Sequence, residues 1–94
     1  MIRKEDACLV LKAIDNLLHS TSPKMTSEDK ITEKVNKIDK TVKLDRERTI
    51  EILKYLEDKG FIEARFAEGG MKTLGATVTR ITAHGYDFME ENCI

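Results

Sequence analysis

Ninety-four residues with a formal net charge of −1 allow one small domain, residues 1–94, around a single core, and lack the strongly basic total of a dedicated nucleic-acid coat. No apolar run is long enough to span a membrane, and the N-terminal MIRKEDACLV lacks a signal peptide's apolar block, so a cytoplasmic protein without membrane contact is expected. Cys8 and Cys93 lie near opposite ends with no CxxC spacing; two free thiols are expected in preference to a disulfide, Cys8 filling core space in an apolar helix.

The first helix is expected over about 3–19. Ala7, Val10, Leu11, Ile14, Leu17 and Leu18 recur at three- and four-residue steps, and Leu9 and Ala13 widen the stripe enough for packing on more than one neighbour. STSPKMTS, with the chain's only proline, reads as a loop. A second helix begins near Thr26 or Ser27, both good N-cap types, with Glu28 and Asp29 where a helix N-terminus favours negative charge. Ile31, Val35 and Ile38 form its narrow apolar seam. Lys30, Lys34 and Lys37 repeat that spacing one residue earlier, either as a solvated flank or as a phosphate-facing edge. The stretch from 39 to 44, DKTVKL, reads as a turn or as a continuation of this helix.

Asp45 is the expected N-cap of a third helix that turns Ile50, Ile52, Leu53, Tyr55 and Leu56 inward or partly inward. Lys59 and Gly60 close it, Gly60 in the left-handed conformation that a β-carbon resists. In FIEARFA, Ile62, Ala64 and Phe66 alternate with Glu63 and Arg65, the period of a half-buried strand. EGGMKTLG is a hairpin tip and ATVTRIT the returning strand. Thr82 can cap a short closing helix, AHGYDFMEEN, which returns Phe88 and Met89 to the core. Leu11, Ile14, Leu18, Ile31, Val35, Leu53, Leu56, Ile62 and Ile81 should form one core under a two- or three-stranded sheet.

Charge is unevenly spread. Residues 30–48 hold seven bases against four acids, whereas 83–94 hold three acids, no lysine or arginine, and His84. The histidines, His19 and His84, sit at a helix end and in a turn, where a cation near a helix C-terminus needs only the dipole to explain it. No Ser-His-Asp spacing, metal-ligand cluster or phosphate-cradling loop is present, so neither an enzyme nor a cofactor or metal is expected.

The element order and its joints resemble winged-helix transcription regulators of the MarR and PadR kinds. One shared joint is Leu56-Glu57-Asp58-Lys59-Gly60-Phe61-Ile62, where a helix passes through glycine into a strand. The other is Ile81-Thr82-Ala83-His84-Gly85-Tyr86-Asp87-Phe88, where a strand enters a glycine-containing helix. The chain also resembles small YjcQ-like proteins of bacteria and their phages, which are lone winged helices. The resemblance covers about 25–91. It implies an α+β, mostly α fold: a winged helix-turn-helix of three helices, a β-hairpin wing and a short C-terminal helix. MarR-type regulators carry long dimerising helices at both termini, whereas the closing helix here is short.

For function, the resemblance implies a small regulator from a bacterium, phage or mobile element, acting as a homodimer on double-stranded DNA. The first turns of a recognition helix reach base edges, while nearby lysines and the wing reach phosphates. The matching positions are Arg46, Arg48 and Thr49 at the helix start, Lys37, Lys40 and Lys43 before it, and Arg65, Lys72 and Arg80 on the wing. The alternative is a winged helix that docks a protein partner without binding DNA, favoured by the near-zero total charge and the acidic tail. One continuous positive face over the third helix and wing would mark the DNA binder.

Overall fold

The structure, a computed structural model, describes residues 2–20 and 25–93, with Lys72 described by its backbone alone. Among the described residues, four helices and three strands follow in the order α1 (Lys4–Ser20), β1 (Thr26–Ser27), α2 (Glu28–Ile38), α3 (Arg46–Asp58), β2 (Ile62–Gly69), β3 (Lys72–Ile81) and α4 (Ala83–Asn92). The result is an α+β fold in which helix predominates. The sheet is antiparallel in the order β1-β3-β2. The proline-containing part of the expected loop, 21–24, lies outside the described residues.

β1 is the element that sequence patterning missed. Two residues have no readable period, and only pairing with β3 (Thr26 opposite Val78, Ser27 opposite Thr77) makes them a strand. Ser27 holds the N-cap position of α2, yet its side chain makes no capping hydrogen bond. The hairpin closes through Gly70 and Met71, Gly70 having a φ of 62°, so β3 starts at Lys72, earlier than the β-branched run suggested. Ile62 pairs with Ile81 and Phe66 with Ala76. Irregularities between Glu63 and Ala64 and between Ala67 and Glu68 add twist to the ribbon.

α1 lies under the sheet and against the other helices, as its wide stripe requires. Val10, Leu11, Ala13 and Ile14 are fully buried with Ile31 and Val35 of α2, Ile52, Leu53 and Leu56 of α3, and Val78 of β3. All nine expected core residues belong to this cluster, and Phe88 and Met89 pack against its edge.

α3 ends in a Schellman motif. Gly60 has a φ of 77°, its N–H donates to Glu57, and the Phe61 N–H donates to Leu56, each at 2.9 Å. The chain then passes directly into β2. Thr82 caps α4 by accepting the Gly85 N–H at 3.1 Å. Gly85 is required for a different reason from Gly60: a β-carbon there would lie 2.2 Å from the Phe61 carbonyl oxygen. The Phe61 and Phe88 rings stack beside this contact, with centroids 4.7 Å apart.

The cysteines correct the expectation of free thiols. Cys8 and Cys93 are joined by a disulfide across 85 residues, with a Cα–Cα distance of 5.4 Å. Sequence spacing cannot reveal this pairing, because it arises when α4 folds back along α1. Among the described residues, no helix is long and apolar enough to cross a membrane.

Candidate interaction surface around the third helix

α2 and α3 are joined by a turn whose shape is set by polar side chains. α2 stops at Ile38, and Asp39 accepts hydrogen bonds from the Thr41 N–H at 2.9 Å and the Thr41 hydroxyl at 2.6 Å. Asn36 reaches across and pairs both ways with Leu44, accepting its N–H at 3.0 Å and donating to its carbonyl at 3.1 Å. The segment from 39 to 44 is therefore a fixed turn and not a continuation of α2. Asp45 caps α3, accepting the Arg48 N–H at 2.8 Å. Asp45 nevertheless stays exposed, so its negative charge remains at the helix start.

The arginines expected to read DNA fold back onto the protein. Arg46 meets the buried Glu28 carboxylate at 3.4 Å and Asp29 at 3.8 Å. Arg48 lies 2.8 Å from Glu51 and 3.8 Å from Asp6 of α1. Thr49, expected beside them at the DNA-reading start of the helix, is instead buried. It is 0% exposed, its hydroxyl donates to the Asp45 carbonyl at 3.0 Å, and it lies 2.6 Å from the Thr32 hydroxyl. It fixes α3 to α2 and has no surface to offer a ligand.

With Ile50, Ile52, Leu53 and Leu56 buried, α3 exposes Arg46, Glu47, Glu51, Lys54, Glu57 and Asp58, and Glu47, Glu51, Lys54 and Asp58 lie together on the side away from the core. Lys54 is itself drawn toward the wing, 3.6 Å from Glu68 and 5.8 Å from the Phe66 ring centroid. The outer face of the third helix is acidic.

α2 sorts its charges onto two sides. Asp29, Thr32 and Asn36 face α3 and its approach, through the contacts already described. Lys30, Lys34 and Lys37 line a groove with Leu17 of α1 and Glu33, on the other side of the helix. Lys37 pairs with Glu33 at 3.1 Å. The lysine row is therefore not continuous with the start of α3. Lys40 and Lys43 are exposed in the connecting turn and form no ion pair among the described residues. On the wing, Arg80 pairs with Glu63 at 3.4 Å, Arg65 is exposed without an ion pair among the described residues, and the Lys72 side chain lies outside them.

Glu28 is the residue whose part the sequence understated. It marks a helix N-terminus by position, but its carboxylate is buried and accepts the Ala76 N–H of β3 at 2.9 Å while meeting Arg46. Burial pushes its carboxyl up. The Ala76 and Glu28 N–H groups and Arg46 outweigh that and hold it below the usual glutamate value. Asp39 is also held low, by the Thr41 hydroxyl and N–H. Burial, and then Asp15, push the Tyr86 phenol up. Among the described residues, no group of three or more His, Cys, Asp or Glu side chains could hold a metal ion. Comparisons with models of known protein families, with curated proteins and with solved structures found no match for the chain.

Proposed function

We propose that this chain is a winged-helix module that docks a basic protein surface through the outer face of α3. The winged-helix assignment is supported by the order helix, strand, two helices, hairpin, helix, with β1 completing the sheet beside β3. The single observation that carries docking is the acidic outer face, Glu47, Glu51 and Asp58, with both helix-start arginines engaged by carboxylates. Duplex DNA presents dense negative charge, which that face opposes and a lysine- or arginine-rich partner satisfies. The role is binding rather than catalysis.

A second reading, a homodimeric regulator on double-stranded DNA, is favoured by Lys40, Lys43 and Arg65, which are exposed and carry no ion pair among the described residues. A cytoplasmic setting belongs to both readings. In that setting thiols are kept reduced, so the Cys8–Cys93 bond would be held open for much of the time.

Titrating the isotope-labelled chain with a polylysine peptide tests docking. Amide shifts should concentrate on α3, and Glu47→Gln/Glu51→Gln should weaken binding more than Glu90→Gln/Glu91→Gln. Equal losses in the two variants would leave only non-specific attraction between a polycation and acidic residues.

A further inference from the structure

The disulfide lies in a cleft of about 290 Å³ lined by α1, Asp39 and the end of α4. Lys4, Cys8 and Lys12 follow one another at four-residue steps, so Cys8 has a lysine one turn away on each side along the same face of α1. Both lysines line the cleft, and neither forms an ion pair among the described residues. Two acids share the rim. Glu5 is opposed by Arg3 at 3.6 Å, and the two lysines outweigh Asp39. Cys8 is buried at 8% exposure, while Cys93 is only partly covered.

We infer that this cleft is a thiol–disulfide exchange site for small thiols that carry carboxylates, the chemical class of glutathione. The lysines attract the anionic thiol and stabilise thiolate on Cys8, as neighbouring cations do. The incoming thiolate attacks Sγ of Cys93, the less buried residue of the pair. The bond between the two protein sulfurs breaks, and its electron pair leaves on Cys8 Sγ, which later takes a proton. A second thiol attacks the mixed disulfide and releases Cys93 as its thiol. In total, two thiols become one small-molecule disulfide, and the protein takes up two electrons and two protons. Opening the bond frees the last turn of α4 from α1, while the Tyr86–Asp15 hydrogen bond of 3.0 Å still holds its first turn.

The test is exchange on the oxidised full chain, with reduced glutathione and with cysteamine, a cationic thiol. Samples are quenched with N-ethylmaleimide and the adducts located by mass spectrometry. Rates are divided by those of each thiol on a short unstructured peptide disulfide. The expected adduct is on Cys93, with glutathione several-fold favoured over cysteamine and that preference lost in Lys4→Gln/Lys12→Gln. An adduct on Cys8, a preference unchanged in the double variant, or reduction at a rate independent of thiol concentration would each overturn the inference. So would two free thiols in the air-oxidised chain. A circular-dichroism melt of the double variant shows that its fold is retained, because both lysines lie at the surface.

Discussion

Glu28 accepts the main-chain N–H of Ala76 at 2.9 Å, binding the first turn of α2 to the middle of β3 across 48 positions of sequence. The same carboxylate meets Arg46 at the start of α3, so one side chain links two helices and the sheet. Gly75, next in the strand, leaves room for it: a β-carbon there would lie 3.2 Å from the nearer carboxylate oxygen.

Glu28→Ala removes that link and leaves a buried N–H without its acceptor, so a loss of about 1–3 kcal/mol is expected from chemical denaturation. The pH dependence has a definite sign. The folded carboxyl lies below its ordinary value of 4.5, so its contribution is present above 4.5 and disappears as pH falls through the lower folded value. Melting temperatures of the parent and Glu28→Gln should therefore converge in acid. Parallel pH profiles would mean that the ionised Glu28 carboxylate adds no stability.

The two structural glycines separate a backbone cost from a steric one. Gly60→Ala places a β-carbon in open space at a φ of 77°, costing about 1–2 kcal/mol. Gly85→Ala drives it into the Phe61 carbonyl and should be the more damaging of the two. Unfolding midpoints in urea would rank them, and the reverse order would be inconsistent with this packing.

Tyr86 donates from α4 to Asp15 of α1 at 3.0 Å. Burial, then Asp15, raises its folded pKa, so its contribution is complete below the ordinary value of 10.0 and lost as pH rises through the folded value. At neutral pH, Tyr86→Phe should cost no more than about 1 kcal/mol, the scale of one hydrogen bond at a partly exposed site. The variant should also melt with a weaker alkaline dependence. Spectrophotometric titration of the phenol provides the check.

Much of the fold was legible in the sequence because it rests on local signals. Val10, Leu11 and Ile14 carry a helical period, Asp45 and Thr82 cap, and Gly60 stops a helix. Each of these acts within a few residues of where it stands. The parts that were not legible depend on distant partners. Thr26 and Ser27 become a strand only against β3, and Cys8 meets Cys93 only when α4 lies along α1. The site divides in the same way. Arg46 and Arg48 were readable as the start of α3, but Glu28 and Asp6, which bind them, come from elsewhere in the chain. The acidic face was within reach, since Glu47 and Glu51 are one turn apart. It becomes visible once the buried side of α3 is assigned.

The disulfide joins the first helix to the last, so reduction should lower stability by about 2–5 kcal/mol, the range for native bridges in small domains. Cys8→Ser/Cys93→Ser should match the reduced parent in urea unfolding. Identical midpoints for oxidised and reduced protein would mean that the bridge carries no stability.

A salt series of binding to random-sequence duplex DNA separates an α3 that faces a basic protein from one that faces DNA. The intact chain is compared with Arg46→Ala/Arg48→Ala. With both arginines engaged by carboxylates and Glu47, Glu51 and Asp58 facing outward, binding should be weak, with a shallow salt slope that the double variant leaves unchanged. Tight binding with a steep slope, losing about two phosphate contacts' worth of that slope on removal of the arginine pair, would contradict the account and establish α3 as a DNA-facing helix.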